Sequence, residues 1–385
     1  MEVKQLYELV NNTTKEVLGT TDIVVNEDLS NLVDVGTALF NAKAVENYTH
    51  TLVDQIGRMV FVNRVYSGNA PKVLKTGWEF GSCLEKVHAS LPVAVENESW
   101  ELEDGTSYDP NIFYKPSVSV KFFNSKTTFE VPISITEIQI KSAFTNATQM
   151  NAFVSMIFNE IEKSMTIKLE SLIMRTIDNF IAETIHSEYD GVATSTKSGK
   201  RAVNVLYLYN QATGDNLTKE KALTNKEFLR FASRLMNLYT TRLRNVNTIY
   251  NIGGTEKFTP NELLHVVMLD SFTTACDSYL SAETFHNELV KLPKYEVVSY
   301  WQGIGTDYEF ASTSKISIKT ASGNSVTQDG ILCVMFDNDA LGVTNENRRV
   351  RSNFNSKAEF TNYWFKADSS YFNDFNEQFV VFFIA

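Results

Sequence analysis

Between Pro132 and Gly191 the chain carries neither proline nor glycine, so nothing inside that span interrupts a helix. From Asn146 to Ile185 apolar residues, with Thr176 among them, recur at three- and four-residue spacing: Met150, Phe153, Val154, Ile157, Phe158, Ile161, Met165, Leu169, Leu172, Ile173, Thr176, Ile177, Phe180, Ile181 and Ile185. That is the stripe of one amphipathic helix. Asn159, Glu160, Lys163, Glu170, Arg175 and Asp178 fall largely between these positions and are expected on a solvated or partner-facing side. A helix of this length spans about 55–60 Å. A compact chain of 385 residues has a radius of gyration near ~21 Å, so the helix is about as long as the molecule would be wide. A flat, elongated subunit with this helix as its spine resolves the mismatch, and its long edges suit contact with neighbours.

The formal net charge of -11 argues against gripping nucleic acid along the chain, which needs clustered Lys and Arg. It is compatible with a wall that merely encloses DNA. Phe (26) and Tyr (16) dominate the aromatics, favouring strands and broad contact surfaces. Cys83, Cys276 and Cys333 are odd in number and far apart, so neither a disulfide framework nor a zinc site is indicated and a reducing compartment fits. Residues 1–15 lack the basic start and apolar core of a signal peptide. No apolar run approaches membrane-spanning length.

Along the chain, residues 1–35 hold helical fragments (Val3 to Asn11, Asn26 to Val35) that read as an arm. Phe40, Ala44, Tyr48, Leu52 and Ile56 form a second helical stripe, and Met59 to Val65 reads as a strand. From Ser67 to about Asn124, glycines and prolines punctuate the chain with little periodicity. A structureless loop of that length is improbable inside a compact domain, so a long projecting hairpin is expected. Its middle is acidic: Glu96, Glu98, Glu101, Glu103, Asp104 and Asp109 surround Trp100 without a basic residue. Val118, Val120 and Phe122, then Phe129, Val131, Ile133 and Ile135, alternate with polar residues as two half-buried strands. Pro132 marks the second as an edge strand or a distorted one. Beyond Gly191 the pattern is α/β: strands at Val203 to Tyr209, Leu263 to Leu269, Tyr295 to Trp301 and Ile331 to Phe336, and helices at Asn225 to Leu243 and Ser271 to Leu280. The aromatic-rich end closes on a buried strand from Phe379 to Ala385.

Signals of chemistry are weak. Gly303-x-Gly305 lacks a third glycine, and Gly199-Lys200 is followed by Arg201 rather than Ser or Thr, so neither makes a phosphate loop. Asp337-Asn338-Asp339 with Gly342 fails as a calcium loop, because Leu341 and Arg348 stand where oxygen ligands belong. The five histidines are dispersed. Nothing assembles a nucleophile, a base and an orienting group, and no metal or other cofactor is expected. The carboxylates around Trp100 allow a general acid and base in principle, or a partner-facing loop. Arg348, Arg349 and Arg351 suit a charged strand face that pairs with another subunit.

Several stretches carry a resemblance. Thr51-Leu52-Val53-Asp54-Gln55-Ile56-Gly57-Arg58, Val154-Ser155-Met156-Ile157-Phe158-Asn159-Glu160-Ile161 and Leu292-Pro293-Lys294-Tyr295-Glu296-Val297-Val298 follow the same order as in one family. So do Phe336-Asp337-Asn338-Asp339, Arg348-Arg349-Val350, Phe360 to Trp364 and Phe379 to Phe383. The chain resembles, over essentially its whole length, the Hong Kong 97-type capsid fold of tailed bacteriophages, and is most similar to major capsid proteins of the short-tailed phi29 group.

That resemblance implies an α+β fold with an N-arm and leading helix (1–65) and an extended loop (66–125). A peripheral domain with the spine helix follows (126–190 and 343–372), and an axial domain (191–342 and 373–385). It implies a non-enzymatic structural protein that self-assembles into pentamers and hexamers of an icosahedral or prolate head enclosing double-stranded DNA. Its partners would be copies of itself, a scaffolding protein, a portal protein and DNA held without sequence-specific contact, with no membrane. Its place would be the virion, after assembly in the bacterial host cytoplasm. The phi29-type protein carries a further immunoglobulin-like domain, which has no counterpart in this sequence, and no cleaved scaffold-like N-terminal domain is indicated. A separate scaffolding protein and no maturation protease are therefore expected. Inter-subunit contact is expected at Glu96, Glu98, Trp100, Glu101, Glu103, Asp104, Arg348, Arg349 and Arg351. Two other readings stay open: an encapsulin-like nanocompartment shell of the same fold, and a carboxylate-dependent hydrolase.

Overall fold

The spine forms as a single helix, Ala147–Glu188, of 42 residues, about 63 Å long. It is seen in a computed structural model that describes residues 3–18, 26, 31–41, 47–48, 51–52, 70–75, 84–90, 94, 104–105, 111–115, 117–145, 147–189, 197–280, 292–302, 314–320 and 323–385. The predicted strand at Met59 to Val65 lies outside the described residues.

The helix divides the hydrophobic interior. Its first half buries Met150, Phe153, Val154, Ile157, Ile161 and Met165 in one core. That core is completed by Leu9, Val10, Leu32, Val35, Tyr48 and Leu52, and by Val131, Ile135, Tyr363, Phe365 and Ala367 from the strands Lys126–Thr136 and Phe360–Asn373. Helix Val3–Leu18 is thus longer than the arm fragment expected there, and its Leu9 and Val10 are core residues. β1 (Leu84–Ala89) and β2 (Val118–Phe123) form an antiparallel hairpin of their own. β3 (Lys126–Thr136) leads into the short helix Glu137–Ala143, where Thr136 and Gln139 form a reciprocal capping box.

The second half of the helix enters a different core. β4 (Ala202–Asn204), β5 (Leu264–Leu269), β6 (Glu296–Val298), β9 (Ile331–Asp337) and β13 (Phe379–Phe383) make a five-stranded sheet in the order β4-β13-β9-β5-β6. Phe379, Val381 and Phe383 face the spine helix, while Val380, Phe382 and Ile384 face the other way. There they meet Leu206, Tyr209, Phe228, Ala232, Met236 and Phe272 of the helices Val205–Thr213, Lys226–Leu243 and Asp270–Leu280. Covered on both faces, these strands read as continuous apolar runs. Between β6 and β9 a small hairpin, β7 (Ile316–Lys319) with β8 (Ser325–Gln328), completes this end.

The expected strand from Val203 to Tyr209 is corrected. Only Ala202–Asn204 is strand, and a helix starts at Val205. Asn204 caps it, its side chain accepting the Tyr207 N–H at 3.2 Å, and Gly214 ends it in the left-handed conformation. β10 (Leu341–Val343) and the long β11 (Glu346–Asn355) both pair with β12 (Phe360–Asn373), whose other edge takes β3. Pro132 therefore lies on an edge strand, opposite Trp364.

Candidate assembly surface

In the β1–β2 hairpin, residues directly opposite share a face. Lys86 pairs with Lys121 and His88 with Ser119, while Val87 pairs with Val120 and Ala89 with Val118. The lysine face turns toward the body. The other face presents Val87, Val118, Val120 and Phe122 at 65%, 55%, 43% and 64% exposure. The sequence reading took Val118, Val120 and Phe122 for the half-buried side, and the structure reverses that. Alternation reveals which residues share a face, but not whether the chain itself covers it. Nearer the tip, Ile112, Phe113 and Tyr114 are also exposed.

The hairpin rests on the end of β12 and the turn after it. Here the chain alternates between two neighbours. The ring of Tyr371 lies under the Arg175 guanidinium, Asn373 donates to the Thr176 carbonyl at 3.1 Å, and Phe375 meets Phe180 edge-on at 4.9 Å. All three grip the spine helix. Phe372 and Asp374 point to the hairpin: Phe372 packs on Phe123 at 5.3 Å, and Asp374 pairs with Lys86 and Lys121, each at 3.2 Å. Glu377 takes Lys257 at 2.8 Å and Lys86 at 3.7 Å, and the Lys86 ammonium also donates to the Asp339 carbonyl. A cleft of about 220 Å³ lies between hairpin and body at this point.

A second surface is the outer face of the β11–β12–β3 sheet. Arg349 makes a two-pronged pair with Asp368 at 2.6 and 3.1 Å, and Lys366 meets Glu130 at 2.6 Å. Next along, half-buried Trp364 stands between Arg351 of β11 and Pro132 of β3. The inner face carries Val131, Tyr363 and Phe365 into the first core.

A model of the Phi29-like phage major capsid protein family matches residues 10–383. The chain belongs to that family. It is a structural family and not one of enzymes, and the comparisons give no support to the nanocompartment or hydrolase readings. A curated relative, the major capsid protein of Bacillus phage GA-1, is 24% identical over 251 residues, which are 63% of this chain and 48% of the relative. The chain thus spans about half of that relative's length. Among solved structures, the capsid of Staphylococcus phage Andhra is similar with a TM-score of 0.48 and 13% identity, over 84% of this chain and 86% of that one. The capsid of cyanophage P-SCSP1u gives 0.42 and 10%, over 84% and 92%.

Of the residues singled out in the sequence, Glu96, Glu98, Trp100, Glu101 and Glu103 lie outside the described residues. Asp104 sits in an exposed turn. Arg348 and Arg351 are exposed on β11, whereas the guanidinium of Arg349 is held by Asp368 of its own chain. Asp337 proves to be the buried last residue of β9, accepting from the Thr259 hydroxyl at 2.7 Å and the Asp339 N–H at 2.8 Å. Among the described residues no group of metal-ligating side chains occurs, and no helix is long and apolar enough to cross a membrane. Sequence reasoning missed Lys86, Lys121, Asp374 and Glu377. Two lysines opposed across a hairpin would repel one another, so the missed signal was a need for a carboxylate. It becomes readable only once the strand register is known.

Proposed function

We propose that this chain is a Hong Kong 97-type major capsid subunit that builds the head shell of a tailed bacteriophage around double-stranded DNA. The observation that carries the reading, beside family membership, is the apolar face that the β1–β2 hairpin turns away from its own subunit. An exposed face that is apolar save for Glu85, opposite Phe122, is a contact surface awaiting a partner. In a closed shell that partner is the next copy, and contacts weak in isolation become cooperative on closure. The shell is made of pentamers and hexamers, assembled in the host cytoplasm with a scaffolding protein, with a portal at one vertex. DNA is enclosed without sequence-specific contact, consistent with the net charge of -11.

The three cores support the division into an N-arm with leading helix, an extended loop, a peripheral domain around the first half of the spine helix, and an axial domain built on the five-stranded sheet. The contact between copies uses the hairpin and its acidic segment on one side, and the exposed Arg348 and Arg351 on the other. Co-expression with the scaffolding partner should yield closed particles by sedimentation and electron microscopy. Only monomers or dimers under those conditions would sink the proposal.

A further inference from the structure

The β1–β2 hairpin shares no strand pairing with the rest of the described chain, and a lone two-stranded hairpin is at best marginally stable. Its angle to the body therefore depends on side chains. At its foot the Tyr371 N–H donates to the Ser125 carbonyl at 3.1 Å, giving a fixed point between β2 and β3. Farther out, the contacts converge on Phe372, Asp374 and Glu377.

Lys86 and Lys121 are direct cross-strand partners, an arrangement that is unfavourable on its own. Asp374 lies between them, with Oδ2 toward Lys86 and Oδ1 toward Lys121. The aspartate side chain is 4% exposed, against 23% and 39% for the two lysines. Its own position is rigid: its N–H donates to the Ala340 carbonyl at 2.7 Å, and Oδ1 accepts the Asn376 N–H at 3.1 Å. One carboxylate fixed to the body thus joins both strands of the hairpin.

We propose that Asp374 is the pivot that sets the hairpin's angle against its own subunit, and that this angle sets the curvature at which neighbouring copies join. The inference rests on the shell reading above. The face opposite the lysines is the apolar one, so rotating the hairpin rotates the plane of contact with the next copy. Without the charge on Asp374 the two lysines repel each other and their buried partner is lost. Lys86 still reaches Glu377 and the Asp339 carbonyl, and Phe123 still packs on Phe372, but Lys121 of β2 loses its carboxylate and the two strands are no longer tied to one point of the body, so the hairpin's angle is free to vary. Subunits with differing hairpin angles then close shells of differing size.

The test compares the full chain with Asp374→Asn, which keeps the acceptor for Asn376, and with Lys121→Gln, which acts from the hairpin side without disturbing the buried turn. Spin labels on cysteines replacing Tyr114 and Glu227, in a chain whose own cysteines are serine, report the hairpin–body distance in unassembled subunits. Electron microscopy of particles co-assembled with the scaffolding partner reports diameter. The expected result is loss of the single narrow distance peak and of the single particle diameter in both variants. A distance peak unchanged in Lys121→Gln overturns the pivot. A broadened peak with particles of unchanged diameter overturns the link to curvature while leaving the shell reading intact. Wild-type chain that forms no closed particle overturns the shell reading itself, and the pivot's role in curvature falls with it.

Discussion

The two halves of the spine helix are one continuous element in two different environments. From Met150 to Met165 it is buried along one stripe, and Met156, Asn159, Glu160 and Lys163 stand in solvent. From Leu169 to Ile185 only Arg175 is exposed, and Thr176, Asp178 and Thr184 are as buried as their apolar neighbours. The first half lies on a core, whereas the second runs through one, with the five-stranded sheet to one side and the end of β12 to another. A helix that links two cores transmits position between them, so its integrity should matter more than any single contact along it.

The largest effect is therefore expected where the two environments meet. Ile173 is fully buried just inside the second half. Ile173→Pro removes an internal hydrogen bond and clashes with the preceding turn, costing about 3 kcal/mol or more. It also bends the element that fixes the distance between the two cores. Sedimentation and microscopy should find no closed particles, and normal particles from this variant would show that the halves are independent.

The halves should also differ in how they respond to truncation. Phe180 is stacked on Phe379 at 4.1 Å and edge-on to Phe375. Phe180→Ala should destabilise the subunit by about 3–5 kcal/mol. Met156, 43% exposed in the first half, should lose no more than about 0.5 kcal/mol on truncation to Ala. Thermal or denaturant unfolding of the unassembled subunit measures both, and equal losses would erase the distinction.

Asp178 sharpens the contrast, because the sequence pattern placed it on the solvated side. The structure buries it with Oδ1 lacking a hydrogen-bond partner. Burial alone holds its carboxyl well above the usual range. The folded chain then keeps a proton that the unfolded chain gives up above about pH 4. Stability from this group is full below that pH and is lost as pH rises toward the folded value. Asp178→Asn removes the titration, so it should melt higher than the parent at neutral pH, by less than Phe180→Ala lowers it. The advantage should shrink as the pH falls toward 4. A pH-independent difference would mean that Asp178 is charged in the fold.

These cases also mark how far the sequence reaches. The three/four spacing placed the spine helix to within a few residues at each end, because one buried stripe repeats with the helix itself. The continuous apolar runs at Ile331 to Phe336 and Phe379 to Phe383 were legible as buried strands for the same reason. The burial of Asp178 was not legible, since it depends on this half of the helix being covered on more than its apolar stripe, by chain far away in sequence. Val203 to Tyr209 read as a strand because its apolar residues suit either element, and only the Asn204 cap decides for helix. At the candidate site, the alternation of the hairpin was visible in the sequence, while its outward orientation and the Asp374 clasp needed the register of β1 on β2 and the place of the turn after β12.

The smallest effect concerns the acidic middle of the extended loop, and it asks whether the subunit's two contact surfaces recognise each other by charge. The segment 95–110 carries six carboxylates and no basic residue, so it repels itself unless a basic surface meets it. On β11 the guanidinium of Arg349 pairs with Asp368 of its own chain, and Arg348 and Arg351 are exposed, so an acidic partner can reach both. Trp364 beside Arg351 adds an aromatic surface to the same face. Rim-type charge pairs contribute only about 0.2–1 kcal/mol each and are screened by salt. Their effect should fall on register and rate more than on the stability of the finished shell. Reversing Glu101 and Glu103 to Lys should slow or misdirect assembly, followed by light scattering at low salt. Reversing Arg348 and Arg351 to Glu in the same chain should partly restore it, and raised salt should narrow all these differences. The pairing is wrong if the doubly reversed chain assembles no faster than the singly reversed one, or if a particle map places the loop in open solvent.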